Sequence, residues 1–187
     1  MKLKTSQTTQ TESTKKDHCL SDTMIDMLVK QIQHELYNHN LYKTFANFFL
    51  VEGLMKLYQY YTSRANEELL HHNWIVEYLN ANHIEFKYPS IPEVSEEFDD
   101  YITPFEQTLD KEIETTNSIN AIVELALEEK DWLTFNWLMK NSGSKLVAEQ
   151  IEEESISRTV LNIANQEDSW ISKESAILEA YNSENNI

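Results

Sequence analysis

Apolar residues recur with the period of an α-helix along a long segment near the start of the chain. Leu28, Glu35, Tyr42 and Phe49 follow one another at seven-residue steps, and Glu35 is the polar member of that series. Ser21 stands just before the pattern, where its side chain can cap a helix. The pattern therefore predicts a first helix over residues 22 to 50.

Two further stripes of the same kind follow. The second runs through residues 54 to 80 and contains Glu68 and His71 one helical turn apart. The third begins at residues 103 to 106, where a threonine able to cap, a proline at the first helical position and a later glutamate predict a helix start. Glu112 lies on the inward face of this third helix. Each of these three predicted helices thus has a carboxylate on its inward stripe, and the stripes of the first and third are otherwise apolar or small.

A long connection and a divided C-terminal half complete the predicted architecture. Residues 81 to 101 include two prolines and show no helical period. A fourth helix is predicted over residues 132 to 165, interrupted at 141 to 144, and a short amphipathic helix over 169 to 181. Only two glycines and three prolines occur in 187 residues, which favours helix throughout. We therefore predict an all-α fold: a four-helix bundle with one long crossover connection plus a short C-terminal fifth helix.

The N-terminus differs in composition from the rest of the chain. Residues 1 to 20 carry Ser, Thr, Gln and Lys with almost no apolar residue, which predicts a disordered extension before one domain over residues 21 to 187. Cys19 is the only cysteine, so an intramolecular disulfide and a paired-cysteine metal motif are excluded, and a reducing cytoplasm is expected. Because no segment approaches the ~18 apolar residues of a membrane span, no membrane association is expected.

The charge balance is strongly acidic. Acidic residues number 32 against 15 basic ones, which gives a formal net charge of -17. Such a chain repels the phosphates of nucleic acids and attracts cations, so no nucleic-acid partner is expected. The acidity has two equally good explanations. One is a solvated, soluble surface, and the other is a role in concentrating metal ions.

Three acids and one histidine fall on the inward stripes of the predicted helices. If the turn near Gly53 is short, the first two helices are antiparallel, and Glu35 then faces Glu68 and His71. Glu112 brings a third carboxylate from the third helix. Burying these charges without partners would cost several kcal/mol each, whereas a cation would compensate them.

The donor set indicates a metal site. Oxygen-rich coordination with one imidazole suits iron or manganese better than zinc, whose structural sites are usually rich in thiolate. Each residue alone has an ordinary explanation, because a helical glutamate is usually solvated and a lone histidine is usually a satisfied polar group. The alternative is a helical interaction protein without metal, in which Arg64, Lys145 or other donors pair with the inward carboxylates.

Several stretches of the chain resemble the bacterial non-haem ferritins, and the resemblance extends from Leu20 to the C-terminus. The matching stretches are His34-Glu35-Leu36-Tyr37 through Leu41-Tyr42, Glu67-Glu68-Leu69-Leu70-His71, Thr134-Phe135-Asn136 and Val147-Ala148-Glu149-Gln150-Ile151-Glu152-Glu153-Glu154. The resemblance implies a ferritin-like bundle with an intrasubunit di-iron ferroxidase centre. It also implies a homo-oligomer, a cage of twenty-four subunits.

The same resemblance implies roles for particular residues. Glu35, Glu68 and His71 would hold the first iron of the ferroxidase centre, and Glu68 would bridge to a second iron held by Glu112. Tyr42 resembles the family's tyrosine beside the centre, which is implicated in electron transfer. In most proteins, however, a buried tyrosine on such a stripe is part of the core.

The fourth helix would complete the centre with Gln150 and Glu153, again by resemblance. The accessory acids of bacterial members correspond to Glu67, Glu149 and Glu152.

The chain departs from its relatives in this fourth helix. Between residues 134–136 and 147–150 it looks about five residues longer, and five residues would rotate the following face of a continuous helix by about 140°. If the excess loops out at residues 142 to 144, Gln150 and Glu153 face the centre. If the helix continues, Lys145 and Ala148 take those positions, and the second iron position is impaired. If the third and fourth helices turn at residues 130 to 131, Glu112 lies at the same height in the bundle as Glu149 or Gln150, which favours the looped arrangement.

The sequence therefore predicts a cytoplasmic iron-storage protein. It would bind Fe(II), oxidise it to Fe(III) with oxygen or peroxide, and store the product as a mineral inside a cage. The alternative within the same family is an iron-binding cage whose ferroxidase centre is incomplete, slow or inactive because the fourth helix is altered.

Overall fold

The computed structural model describes residues 20–95, 97–140 and 146–184. Within those ranges the chain is helical and contains no strand. The helices are α1 (Asp22–Val51), α2 (Met55–Ala81), α3 (Thr103–Glu128), α4 (Trp132–Met139), α5 (Leu146–Ala164) and α6 (Trp170–Glu184). The predicted all-α fold is confirmed. Leu20 is buried against the bundle, and the rest of the predicted N-terminal extension lies outside the described residues.

A tight turn makes α1 and α2 an antiparallel hairpin. The Ser21 hydroxyl accepts a hydrogen bond from the backbone N–H of Met24 at 3.0 Å and so caps α1, as the sequence predicts. Gly53 adopts a positive φ of 79°, a conformation that a residue with a Cβ atom rarely takes. The short turn brings the inward faces of the two helices together along their whole length, and their pairing is the most extensive in the bundle.

The crossover between α2 and α3 is long and irregular, as predicted, and its final residues are anchored. The ring of Phe98 packs against Phe45 and Phe48 of α1, with centroid distances of 5.2 and 5.0 Å. The Asp100 carboxylate accepts hydrogen bonds from the backbone N–H of Ile102 at 2.6 Å and of Thr103 at 2.8 Å. The threonine expected to cap α3 is already inside the helix, and Ile102 holds the N-cap position without a side-chain hydrogen bond. The Asp100 carboxylate instead satisfies the backbone donors at the start of the helix from two residues before the N-cap.

The fourth column of the bundle consists of two helices, α4 and α5. Asp131 caps α4 by accepting a hydrogen bond from the backbone N–H of Thr134 at 3.0 Å, as the sequence predicts. Helix α4 ends at Met139 and α5 begins at Leu146. The predicted interruption falls on residues 141 to 144, which lie outside the described residues.

Two apolar clusters fill the bundle, one towards each end. The aromatic cluster lies near the α1–α2 turn and includes Tyr42, Phe45, Phe49, Tyr61, Phe105, Ile156 and Val160. The aliphatic cluster lies at the other end and includes Leu28, Ile32, Ile75, Leu79, Ile119, Ile122, Leu138 and Leu146. Since α1, α2 and α3 each contribute to both clusters, each helix passes through the boundary between them.

Helix α6 closes the bundle at the aromatic end. Ile177 and Tyr181 join the aromatic cluster. The Lys173 ammonium donates a hydrogen bond to the Ala164 carbonyl at 2.7 Å and lies 4.5 Å from the centroid of the Trp170 ring. Among the described residues, no helix has both the length and the apolar character needed to cross a membrane.

The capping role of Asp100 gives a first prediction. Asp100→Ala should lower the free energy of unfolding by about 1 kcal/mol at neutral pH, because two backbone donors lose their acceptor. Hydrogen bonds from Thr103 lower the pKa of Asp100, so the carboxylate stabilises the fold above its unfolded pKa. The difference from the wild type should shrink as the pH falls below about 4.

Urea denaturation of the full chain at neutral and acidic pH measures this difference. The control is Asp99→Ala, since Asp99 is an exposed neighbour on the same connection. Equal unfolding free energies for the wild type and Asp100→Ala at neutral pH would contradict the assignment.

Candidate metal centre

A layer of buried polar side chains separates the aromatic cluster from the aliphatic cluster. We call it the polar layer, and no member is more than 5% exposed. Its members are Glu35 of α1, Arg64, Glu68 and His71 of α2, Glu112 of α3, and Gln150 and Glu153 of α5. All four columns of the bundle therefore contribute to one site at mid-height.

The first half of the polar layer lies between α1 and α2. Glu35, Glu68 and His71 each offer one potential ligand atom, and these atoms lie within 4.8 Å of one another. His71 Nδ1 is 4.0 Å from Glu35 Oε2 and 3.7 Å from Glu68 Oε2. These three residues, which we call the triad, are those that the sequence predicts to face each other across the hairpin.

The triad has polar atoms that the described parts of the protein leave without hydrogen bonds. They are Glu35 Oε2, both carboxylate oxygens of Glu68, and His71 Nδ1, and all are buried. Buried polar groups are normally hydrogen-bonded, because an unsatisfied one has lost its water without replacement. Three oxygens and one nitrogen left open together fit a divalent metal ion with oxygen and imidazole preference, such as iron.

Gln31 supports the triad from one turn earlier on α1, and the sequence reasoning did not identify it. Its side-chain amide donates a hydrogen bond to Glu35 Oε1 at 2.7 Å, and its own carbonyl accepts one from the Ser118 hydroxyl at 2.5 Å. One oxygen of Glu35 is thereby fixed while the other stays open. The only sequence signal for Gln31 was its spacing of four residues from Glu35.

Burial and mutual proximity shift the pKa values of the triad. Burial, followed by repulsion from Glu68, raises the pKa of Glu35 well above its usual value. Burial also acts to raise the pKa of Glu68, but the neighbouring His71 and Glu35 hold it below its usual value. Burial acts to lower the pKa of His71, but Glu153 and the other carboxylates raise it well above its usual value. The protonation states of the three groups are therefore coupled to one another.

The second half of the polar layer lies between α3 and α5. Glu112 Oε1 accepts a hydrogen bond from the Tyr42 hydroxyl at 2.5 Å, and Glu112 Oε2 accepts one from the Gln150 amide at 2.9 Å. Glu153 Oε1 lies 3.8 Å from His71 Nε2, so this carboxylate borders the triad. Burial raises the pKa values of Glu112 and Glu153.

The orientation of α5 corresponds to the looped alternative. Gln150 and Glu153, one helical turn apart, both reach the polar layer, whereas Ala148 is only half-buried. Lys145 and residues 142 to 144, where the looped alternative places the excess, lie outside the described residues. The residues predicted to complete the site from the fourth helix are thus beside Glu112, and their role as iron ligands stays a prediction.

The accessory acids of the sequence prediction lie outside the polar layer. Glu152 is exposed, and Glu67 and Glu149 are half-buried. Glu67 instead contacts the guanidinium of Arg64, with 3.1 Å between Glu67 Oε2 and Arg64 Nη1.

Arg64 is the positively charged member of the polar layer. Its Nη2 lies 2.6 Å from Glu112 Oε1, and its Nη1 lies 3.2 Å from Glu153 Oε1. From the sequence, Arg64 was only a possible donor to inward carboxylates in the metal-free alternative. Because its partners lie on other helices, no local pattern could show which carboxylates it meets.

Comparison with known proteins agrees with this fold. A family model described as a ferritin-like domain matches residues 25–166. A bacterial non-heme ferritin from Campylobacter jejuni is 32% identical over 145 residues, which cover 76% of this chain and 83% of that protein. A bacterial non-heme ferritin from Staphylococcus aureus is 28% identical over 145 residues, with the same coverage.

Solved structures give the same result. An open pore ferritin from the hyperthermophilic archaeon Archaeoglobus fulgidus matches with a TM-score of 0.77 and 26% identity, over 86% of this chain and 98% of that one. A ferritin from Chlorobium tepidum matches with a TM-score of 0.74 and 27% identity, over 88% and 96% of the two chains. Since the family model spans most of the chain, and the relatives share both sequence and fold with it, this chain belongs to the ferritin family.

Proposed function

We propose that this protein stores iron, taking up Fe(II) at the triad and oxidising it to Fe(III) with oxygen or peroxide. The observation that carries the proposal is the buried cluster of Glu35, Glu68 and His71. Its ligand atoms converge within 4.8 Å, and four buried polar atoms of the cluster have no hydrogen bond from the described residues. Membership of the ferritin family supports the storage role.

The residues of the triad suit both binding and oxidation of this substrate. Carboxylates and imidazole bind Fe(II), and the negative charge of Glu35 and Glu68 stabilises the more highly charged Fe(III) still further. Each Fe(II) gives up one electron, which the oxygen or peroxide accepts. Gln31 keeps the Glu35 carboxylate oriented during this cycle, as outer neighbours of metal ligands commonly do.

Tyr42 stands where it can assist this reaction. Its ring is fully buried in the aromatic cluster, and its hydroxyl donates a hydrogen bond to Glu112 in the polar layer. Burial, followed by the charge of Glu112, raises the pKa of Tyr42 well above its usual value, so the phenol stays protonated. A neutral phenol next to the site fits the electron-transfer role that the family resemblance implies.

We propose further that the protein acts in the cytoplasm as a homo-oligomeric cage of twenty-four subunits with the mineral inside. Exposed apolar side chains on the outer faces of the helices support association with further copies. They include Leu69 and Leu70 of α2, Trp132 and Leu133 of α4, and Ile151 of α5. Membership of the ferritin family supports assembly into a homo-oligomer.

One observation favours a second candidate function, an iron-binding cage with a slow or inactive ferroxidase centre. Arg64 pairs with Glu112 and Glu153, two of the carboxylates that the family resemblance assigns to iron. The cause would then be this arginine, and not the altered fourth helix that the sequence suggested, since Gln150 and Glu153 reach the polar layer.

Metal binding at the triad should be visible as thermal stabilisation. Zn(II), which does not change its oxidation state, should stabilise the wild type by about 2.7 kcal/mol when the free metal exceeds the dissociation constant a hundredfold. Glu35→Gln should lose most of this stabilisation, because a neutral amide replaces a charged ligand. Differential scanning calorimetry with and without Zn(II) measures the effect.

The matched control for this experiment is Glu77→Gln, because Glu77 is an exposed glutamate on α2. This variant should respond to Zn(II) as the wild type does. A Zn(II)-induced shift of equal size in Glu35→Gln and the wild type would contradict the triad as the binding site.

Oxidation should depend on the same residues. Glu68→Ala should slow the aerobic oxidation of Fe(II) at least about tenfold, because even the outer neighbours of a metal ligand are commonly worth that much. Stopped-flow measurement of ferric absorbance gives the rate, and Glu77→Ala should match the wild type. Slow oxidation by the wild type, unaffected by Glu68→Ala, would exclude the catalytic proposal and leave the slow or inactive cage.

A further inference from the structure

The guanidinium of Arg64 occupies the second half of the polar layer. Arg64 lies one helical turn before Glu68 on α2, and its side chain is 1% exposed. The Arg64 side chain crosses towards α3 and α5, where it contacts Glu112 at 2.6 Å and Glu153 at 3.2 Å. A fixed positive charge therefore lies between the two carboxylates that are not part of the triad.

Both carboxylate oxygens of Glu112 already accept hydrogen bonds from the protein. Its Oε1 accepts from both Arg64 and the Tyr42 hydroxyl, and its Oε2 accepts from the Gln150 amide. This arrangement contrasts with the triad, where Glu35 Oε2 and both oxygens of Glu68 lack hydrogen bonds from the described residues. The two halves of the layer thus differ in charge compensation. Glu112 and Glu153 both lie within ion-pair distance of Arg64, although the Glu153 oxygens have no hydrogen bond from the described residues, whereas neither Glu35 nor Glu68 is within ion-pair distance of Arg64.

The charge of Arg64 is permanent. A guanidinium does not lose its proton in proteins, so Arg64 remains a cation at any pH at which the bundle is folded. A divalent ion bound between Glu112 and Glu153 would lie within a few ångströms of that charge, in a region that excludes water and screens charges poorly. Repulsion and the loss of the existing hydrogen bonds both oppose such an ion.

Arg64 is also held from outside the polar layer. Its Nη1 contacts Glu67 at 3.1 Å, and Glu67 Oε1 accepts a hydrogen bond from the Tyr181 hydroxyl of α6 at 2.5 Å. Tyr181 is buried in the aromatic cluster. The C-terminal helix therefore fixes the arginine in its present position, so that swinging aside would break contacts with three helices.

We propose that Arg64 takes the place of a second metal ion, so that the buried centre of each subunit holds one ion, bound by the triad. This inference rests on the proposed iron-binding function of the triad. It replaces the di-iron centre that the family resemblance implies with a centre of one metal ion and one guanidinium.

Site-resolved metal counting tests the proposal on the wild-type protein. Crystals of the assembled protein soaked in Zn(II) should show one anomalous scattering peak per subunit in the polar layer, next to Glu35, Glu68 and His71. Two peaks, with Arg64 displaced from Glu112, would overturn the inference and leave the proposed function standing. No peak in the layer would overturn the proposed function together with the inference.

Substitution of the arginine should open the second position. Arg64→Gln should show a second Zn(II) peak between Glu112 and Glu153 under the same soaking conditions, whereas Arg64→Lys, which keeps the positive charge, should show one. Arg158→Gln is the matched control, because Arg158 is 54% exposed and pairs with Glu154 on the surface. A single peak in folded Arg64→Gln would overturn the charge-based inference, and if that variant does not fold, the wild-type count decides.

Discussion

The need to compensate buried carboxylates determines how the middle of this bundle is built. Four glutamates converge there almost without solvent: Glu35, Glu68, Glu112 and Glu153. An ionised carboxylate transferred from water into a protein interior loses several kcal/mol of solvation, so each must regain it from hydrogen bonds or positive charge. Neutral donors satisfy part of the demand, since Gln31, Tyr42 and Gln150 each donate to one of the four. The remaining charge is compensated by cations or removed by protonation, which the raised pKa values of Glu35, Glu112 and Glu153 favour.

The apolar clusters on either side of the polar layer keep water away from these carboxylates, so their charges must be compensated within the protein. In the aromatic cluster, Tyr61 stacks on Phe49 with a centroid distance of 5.4 Å, and Phe45 meets Tyr61 edge-on at 5.3 Å. Such packing leaves little room for water, and electrostatic interactions within the polar layer are correspondingly strong. Placing the layer between two packed clusters also fixes the height of each polar side chain, which no flexible loop would do.

The sequence predicted most of this fold because its inward stripes are long and almost free of helix breakers. The bounds of α1 and α2, and the caps at Ser21 and Asp131, follow from local patterns and were confirmed. The facing of Glu35 and His71 followed from the short turn, since residues equally distant from it lie at the same height. In each of these cases, residues close together in the sequence were sufficient to predict the structure.

The parts that could not be predicted depend on distant contacts. The sequence allowed two orientations of α5, and local helix geometry could not choose firmly between them. Contact of Gln150 with Glu112, 38 residues earlier in the chain, corresponds to one of the two. Arg64 similarly meets Glu112 48 residues later, and no periodicity in the sequence encodes that pairing. Partners on different helices become visible only when the helices are packed.

The two halves of the polar layer solve one electrostatic problem in different ways. Around Glu112 the positive charge belongs to the chain itself, because Arg64 is covalently part of α2 and is tied to Tyr181 through Glu67. Glu35 Oε2 and both oxygens of Glu68 have no hydrogen bond from the described residues, so a cation at the triad would be an ion separate from the chain. The fixed cation, the Arg64 guanidinium, stabilises the bundle, whereas a metal ion at the triad could be bound and released. The placement of a single arginine therefore separates the part of the layer that the chain compensates by itself from the part that we propose binds iron.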